Sequence, residues 1–238
     1  MGGVKSKMSS TNWAEADGGI KEAKHTIDGA EPTKKSTTIQ MVKKQNINDR
    51  DFTAFDETDT ALYYTEVQKG TARWFHLTDL AGTKLFVAHS APMAHEWTIY
   101  TLTPNWEGQE PDPKGSEEDK IEDVLYKKFF VNFGAFKEAG KISMFIESED
   151  EKAGIEDTPT MVIQNVRAFG CKFQTAADKD AKNLIGYWDW GRKNGTHCMN
   201  VKLAANSDIA LHAILSVLSN IVWTEQSGAG GAAGAGAC

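Results

Sequence analysis

Cysteine, proline and basic charge are all scarce in this 238-residue sequence, and each scarcity excludes something. Cys171, Cys198 and Cys238 make an odd count, and no apolar secretory stretch opens the chain, which argues against a disulfide framework and for a reducing, cytosolic compartment. Neither Cys171 nor Cys198 stands in the CxxC spacing of a zinc site, and both fall in strand-like runs as small apolar residues. With 26 basic against 33 acidic side chains, net charge −7, the chain lacks the positive footprint of a nucleic-acid binder, so nucleic acid is not an expected partner. No run of about 18 apolar residues is present to span a bilayer.

Catalytic signatures are missing as well. There is no G-x-S-x-G elbow, no HExxH pair and no Walker loop, and the sequence reads as non-enzymatic. His76, His89, His95 and His197 stand singly, as structural histidines do. The acidic runs Glu117-Glu118-Asp119 and Glu147 to Glu151 lack the alternating ligand spacing of a calcium loop, so they read as solvated loops. No metal and no cofactor is expected.

What is present divides into three parts. Residues 1–36 hold few large apolar side chains and are expected to form a disordered arm. Through residue 48 there are eight Lys against five acids, a net of +3, which leaves −10 for the remainder. Residues 228–238 are Gly and Ala but for Cys238, the composition of a flexible tail; its thiol could carry a lipid or stay plain, and no C-a-a-X box is there to direct prenylation. Residues 37–227 carry short runs of β-branched and aromatic residues separated by turn chemistry, the pattern of a mainly β domain.

Candidate strands lie near 38–43, 52–55, 61–68, 72–78, 84–89, 96–102, 124–133, 141–147, 160–165, 167–175, 184–190 and 197–204. About twelve such strands imply a barrel or a sandwich. Asp56 to Thr60, Leu80-Ala81-Gly82, Asp178 to Asn183 and Lys193-Asn194-Gly195 supply turns, while Pro104 to Lys120, with three Pro and six acids, predicts an exposed loop. Asn194-Gly195-Thr196 also matches a glycosylation acceptor, but without secretion it reads as a turn.

One segment departs from the β pattern. Asp208 to Trp223 follows Asn206-Ser207, either of which could cap a helix, and Asp208 suits its positive end. Ile209, Leu211, Ile214, Leu215, Val217, Leu218, Ile221, Val222 and Trp223 occupy almost the whole circumference, so the helix must be enclosed on most sides. At roughly 24 Å it falls short of the about 30 Å hydrocarbon core. The predicted architecture is a closed antiparallel barrel of about twelve strands around this central C-terminal helix.

The run Phe52 to Val67 (FTAFDETDTALYYTEV), then Phe75 to Phe86 (FHLTDLAGTKLF) with its "lxDxxGxxLf" pattern, resembles the LURP-one-related proteins. Met199 to Ile221 is similar to that family's last strand and hydrophobic C-terminal helix. The resemblance covers about residues 38–224 and implies the tubby C-terminal-like fold, shared with tubby and the phospholipid scramblases, a twelve-stranded barrel around a helix. It further implies association with membranes or phosphoinositides. The basic cluster that family members often carry after the "Gly-x-x-Leu" strand is replaced here by Val87-Ala-His-Ser-Ala91; the nearest basic pair, Lys127-Lys128, is similar in position to one on the family's middle strands and is the candidate lipid-binding site. Two lysines on one strand also fit a solvated sheet edge that blocks edge pairing.

Met1-Gly2-Gly3-Val4-Lys5-Ser6 fits M-G-x-x-x-[ST], which marks Gly2 for N-myristoylation; the alternative is an unmodified flexible terminus. A single myristoyl chain binds membranes only marginally, so reversible, peripheral attachment to cytoplasmic membrane surfaces is the expectation. Trp188 and Trp190 share a strand face, either packed on the helix or turned outward toward a membrane or ligand. A soluble scaffold for protein partners is the alternative function, and scramblase-like lipid transport ranks last because His212, Ser216, Ser219 and Asn220 interrupt the helix.

Overall fold

The computed structural model describes residues 36–43, 51–67, 73–90, 96–102, 125–133, 140–146, 154–155, 161–166, 170–175, 184–205 and 207–229. The first six strands are β1 (Thr37–Lys43), β2 (Phe52–Phe55), β3 (Ala61–Val67), β4 (Arg73–Thr78), β5 (Lys84–Ser90) and β6 (Glu96–Thr101). Next come β7 (Tyr126–Asn132), β8 (Gly140–Ile146), β9 (Gly154–Ile155), β10 (Met161–Val166) and β11 (Gly170–Thr175). The chain continues with β12 (Leu184–Lys193), β13 (Thr196–Leu203) and one helix, α1 (Ile209–Ala229). The protein is mainly β, as the strand-like runs predict. Every expected strand forms within a few residues of its expected bounds, and the strand not foreseen is the two-residue β9.

All thirteen strands belong to one antiparallel sheet in the order β10-β11-β12-β13-β1-β2-β3-β4-β5-β6-β7-β8-β9. The last long strand therefore sits beside the first, with Ile39 opposite Val201 and Met41 opposite Met199. The order is a thirteen-strand run from β10 to β9 rather than the twelve-strand ring expected. β10 additionally meets β8 through three residue pairs, Met161–Ile142, Val162–Lys141 and Ile163–Gly140, while the far half of β8 pairs with β9.

Turn chemistry fixes the hairpins. The β2–β3 and β4–β5 connections are two copies of one five-residue turn, DETDT and DLAGT. In each the first Asp exchanges backbone hydrogen bonds with the fifth residue's carbonyl and the fourth residue's amide: Asp56 N–H donates to Thr60 O at 2.9 Å, and Asp79 N–H to Thr83 O at 2.9 Å. The carboxylate fills the loop, Asp56 Oδ1 accepting from the amides of Thr58 and Thr60 and Asp79 Oδ1 from those of Ala81 and Thr83, all at 2.8 Å. The amide of Thr60, then the hydroxyl of Thr58, hold Asp56 below the usual carboxylate range. The fourth position needs positive φ, which Gly82 adopts at 86° without strain and Asp59 adopts at 69° against its Cβ. Asp59 is offset by an ion pair with Lys193, whose ammonium also lies 4.1 Å from the Phe55 ring centre. The β12–β13 turn is the two-residue Asn194-Gly195, with φ of 51° and 82°, matching the twist of the strands it joins.

The helix starts differently from expectation. The N-cap is Asp208 itself, not Asn206 or Ser207: its Oδ1 accepts the Leu211 amide at 3.0 Å and its carbonyl accepts the His212 amide at 3.1 Å. Asp208→Ala is expected to cost about 1 kcal/mol, read as a lower urea midpoint with unchanged slope. The helix also runs six residues beyond the predicted end at Trp223, taking Gly228 and Ala229 from the expected tail.

Every residue from Ala210 to Val222 is buried, over more than three turns and so on every side. Strands β13, β11 and β5 all touch α1, and β5 lies five places from β13 in the sheet order, so the sheet curls around the helix. The core is the helix together with the strand residues turned toward it, among them Met41, Phe52, Phe86, Trp97, Phe129 and Trp188. A smaller cluster of Trp74, Val87, Tyr100 and Leu125 lies apart from it, with Trp74 and His89 ring centres 4.2 Å apart.

Candidate functional site

The residues singled out in the sequence do not assemble into one site. Gly2 lies outside the described residues, as do His95, Cys238, both acidic runs and the turn at 178–183. Lys127 and Lys128 lie on β7, which pairs with β6 and β8, so they are on an interior strand and not at an edge. They are also unlike one another. The register slips between Ile99 and Tyr100, so that Lys127 faces Tyr100 while Phe129 faces Ile99, leaving Lys128 as the extra residue of a β-bulge. Lys128 is only 6% exposed, with its ammonium 5.9 Å from the Phe129 ring centre, and Lys127 is half-buried. The pair is not the open basic surface that two consecutive lysines suggest.

Trp188 and Trp190 resolve inward. With Gly186 they occupy alternate positions on the β12 face opposite Leu203, Val201 and Met199. Trp188 Nε1–H donates to Ser219 Oγ at 2.7 Å, and Ser219 Oγ–H donates to the Ser216 carbonyl at 2.9 Å, so the indole reaches the helix through a buried hydroxyl. Trp190, half-buried, stands edge-on to Trp188 and to His197, and Lys43 places its ammonium 5.4 Å from the Trp190 ring and 5.7 Å from that of Phe52. Gly186 makes room for the helix: a Cβ there would lie 3.3 Å from His212 Cε1 and 3.1 Å from Leu203 Cδ2.

On the opposite face, three strands bring together polar side chains that sequence reading did not connect. Gln40 of β1 donates through Nε2 to Asn200 Oδ1 at 3.2 Å, and Asn200 of β13 donates through Nδ2 to Asp189 Oδ1 of β12 at 3.4 Å. The Cys198 thiol, buried, reaches Asn200 Oδ1 at 3.7 Å. Burial pushes the Asp189 carboxyl up, against the lowering effect of the Asn200 amide, and likewise raises the Cys198 thiol. Lys202, opposite Tyr187, is raised by its hydrogen bond to that phenol. The amides and carboxylate of this surface can exchange hydrogen bonds but form no nucleophile–base pair.

Gly191 is the residue that permits it. A Cβ at that position would collide with Asn200 Nδ2. Gly191 lies one residue past the strand expected at 184–190; a glycine inside β12 is the kind of residue that marks a close approach. Gly191→Ala is expected to displace the Asn200 amide and lower stability by about 1–2 kcal/mol in urea denaturation, whereas Gly195→Ala would strain only the turn. Among the described residues no group of three or more His, Cys, Asp or Glu is placed to hold a metal ion, and no helix is long and apolar enough to cross a membrane.

Compared with known proteins, the chain is similar in structure to a protein from Arabidopsis thaliana solved by X-ray crystallography. The two share 14% identity with a TM-score of 0.52, over 83% of this chain and 97% of the other. At that identity the likeness is one of fold. No protein-family model matches the chain, and no curated protein matches it in sequence.

Proposed function

We propose that this chain is a non-enzymatic, peripheral membrane module of the LURP-one-related, tubby-like kind, attached to cytoplasmic membrane surfaces by myristate on Gly2. The observation that carries the tether is Met1-Gly2-Gly3-Val4-Lys5-Ser6, with Lys5 and Lys7 adding positive charge beside the acyl chain. The enclosure of Ala210 to Val222 supports an anchor other than the helix, because a helix held by the sheet on every side has no apolar face to offer lipid. The curl of the sheet about α1, with β10 meeting β8 through three residue pairs, supports a tubby-like architecture. The Arabidopsis likeness and the "lxDxxGxxLf" run support the family, and anionic lipids, phosphoinositides among them, are the ligand class, with Lys127 the more accessible of the two β7 lysines.

Expression in a eukaryotic host followed by intact-mass measurement and membrane fractionation tests the tether. The parent protein is expected to carry one myristoyl group and divide between membrane and soluble fractions, because one such chain gives an association constant on the order of 10⁴ M⁻¹. Gly2→Ala is expected to lose the added mass and leave the membrane fraction; equal retention of both proteins would overturn the tether. The net charge of −10 beyond residue 48 opposes approach to an anionic surface and favours a second reading, a soluble scaffold for protein partners. Absence of flotation with anionic liposomes by the acylated parent would select it. Scramblase-like transport would need α1 to leave its enclosure, and it ranks behind both.

A further inference from the structure

We draw no further inference here: the strongest candidate, the half-buried polar cluster of Gln40, Asp189 and Asn200 on the outer face of β1, β12 and β13, is engaged in its own hydrogen bonds, and nothing in the structure shows what covers it.

Discussion

Lowering the pH from 7 to 4 is expected to cost the parent protein ~3 kcal/mol more stability than it costs a His212→Gln variant. His212 is wholly buried in α1, its Cε1 3.3 Å from where a Cβ on Gly186 would stand, and burial pushes its pKa from 6.5 down to about 4. The folded state therefore keeps the imidazole neutral while the unfolded chain takes up a proton below 6.5. Between those values the unfolded state binds more protons, so the contribution is complete above 6.5 and is lost as pH falls through about 4. Carboxylates titrate in the same range, but they are common to both proteins and cancel in the difference. Urea midpoints for the pair at several pH values give the measurement; parallel curves would mean that His212 reaches water or a stabilising anion in the folded state.

Truncating the helix interior is the second large effect. Leu215→Ala and Leu218→Ala each remove a fully buried side chain from the centre of the core, with an expected loss of about 2–5 kcal/mol, the spread depending on how far the sheet collapses onto the cavity. Leu80→Ala is the control. It sits at the tip of the β4–β5 turn at 53% exposure, and its loss should fall within about 0.5 kcal/mol. Equal effects at Leu80 and Leu215 would mean that α1 does not pack inside the sheet.

The sequence made the elements legible and left their contacts hidden, for identifiable reasons. Strands showed as runs of β-branched and aromatic residues, and Asp56 to Thr60, Leu80-Ala81-Gly82 and Lys193-Asn194-Gly195 marked where hairpins turn, because positive φ requires particular residues. Enclosure of the helix followed from apolar residues on all its faces. β9 was invisible since two residues have no period. The helix end was missed because Thr224 to Gly228 is polar or small and Gly228 reads as a tail, although the helical hydrogen bonds continue through it.

Misreadings at the sites had a different cause. Lys127-Lys128 was singled out by its likeness in position to a basic pair of the LURP-one-related proteins, and the bulge that sets the two apart is fixed by the partner strand, which no local pattern encodes. The Gln40, Asn200 and Asp189 cluster spans 160 residues of sequence between its first two members and depends on β13 lying beside β1, a strand order that no local pattern encodes. Asp59 is a parallel case: its left-handed backbone is intelligible once Lys193 is seen to reach it from another hairpin.

Because β1 finds its mate in β13, the growing polypeptide cannot complete its sheet until β13 has been made. A nascent chain halted before Thr196 would hold Ile39 and Met41 without the residues opposite them, and one halted before Ile209 would lack the helix they all face. Closing so long a loop is slow, and until it closes the early strands present bare edges to solvent. How long those edges stay bare is thus set by where the last strand is placed.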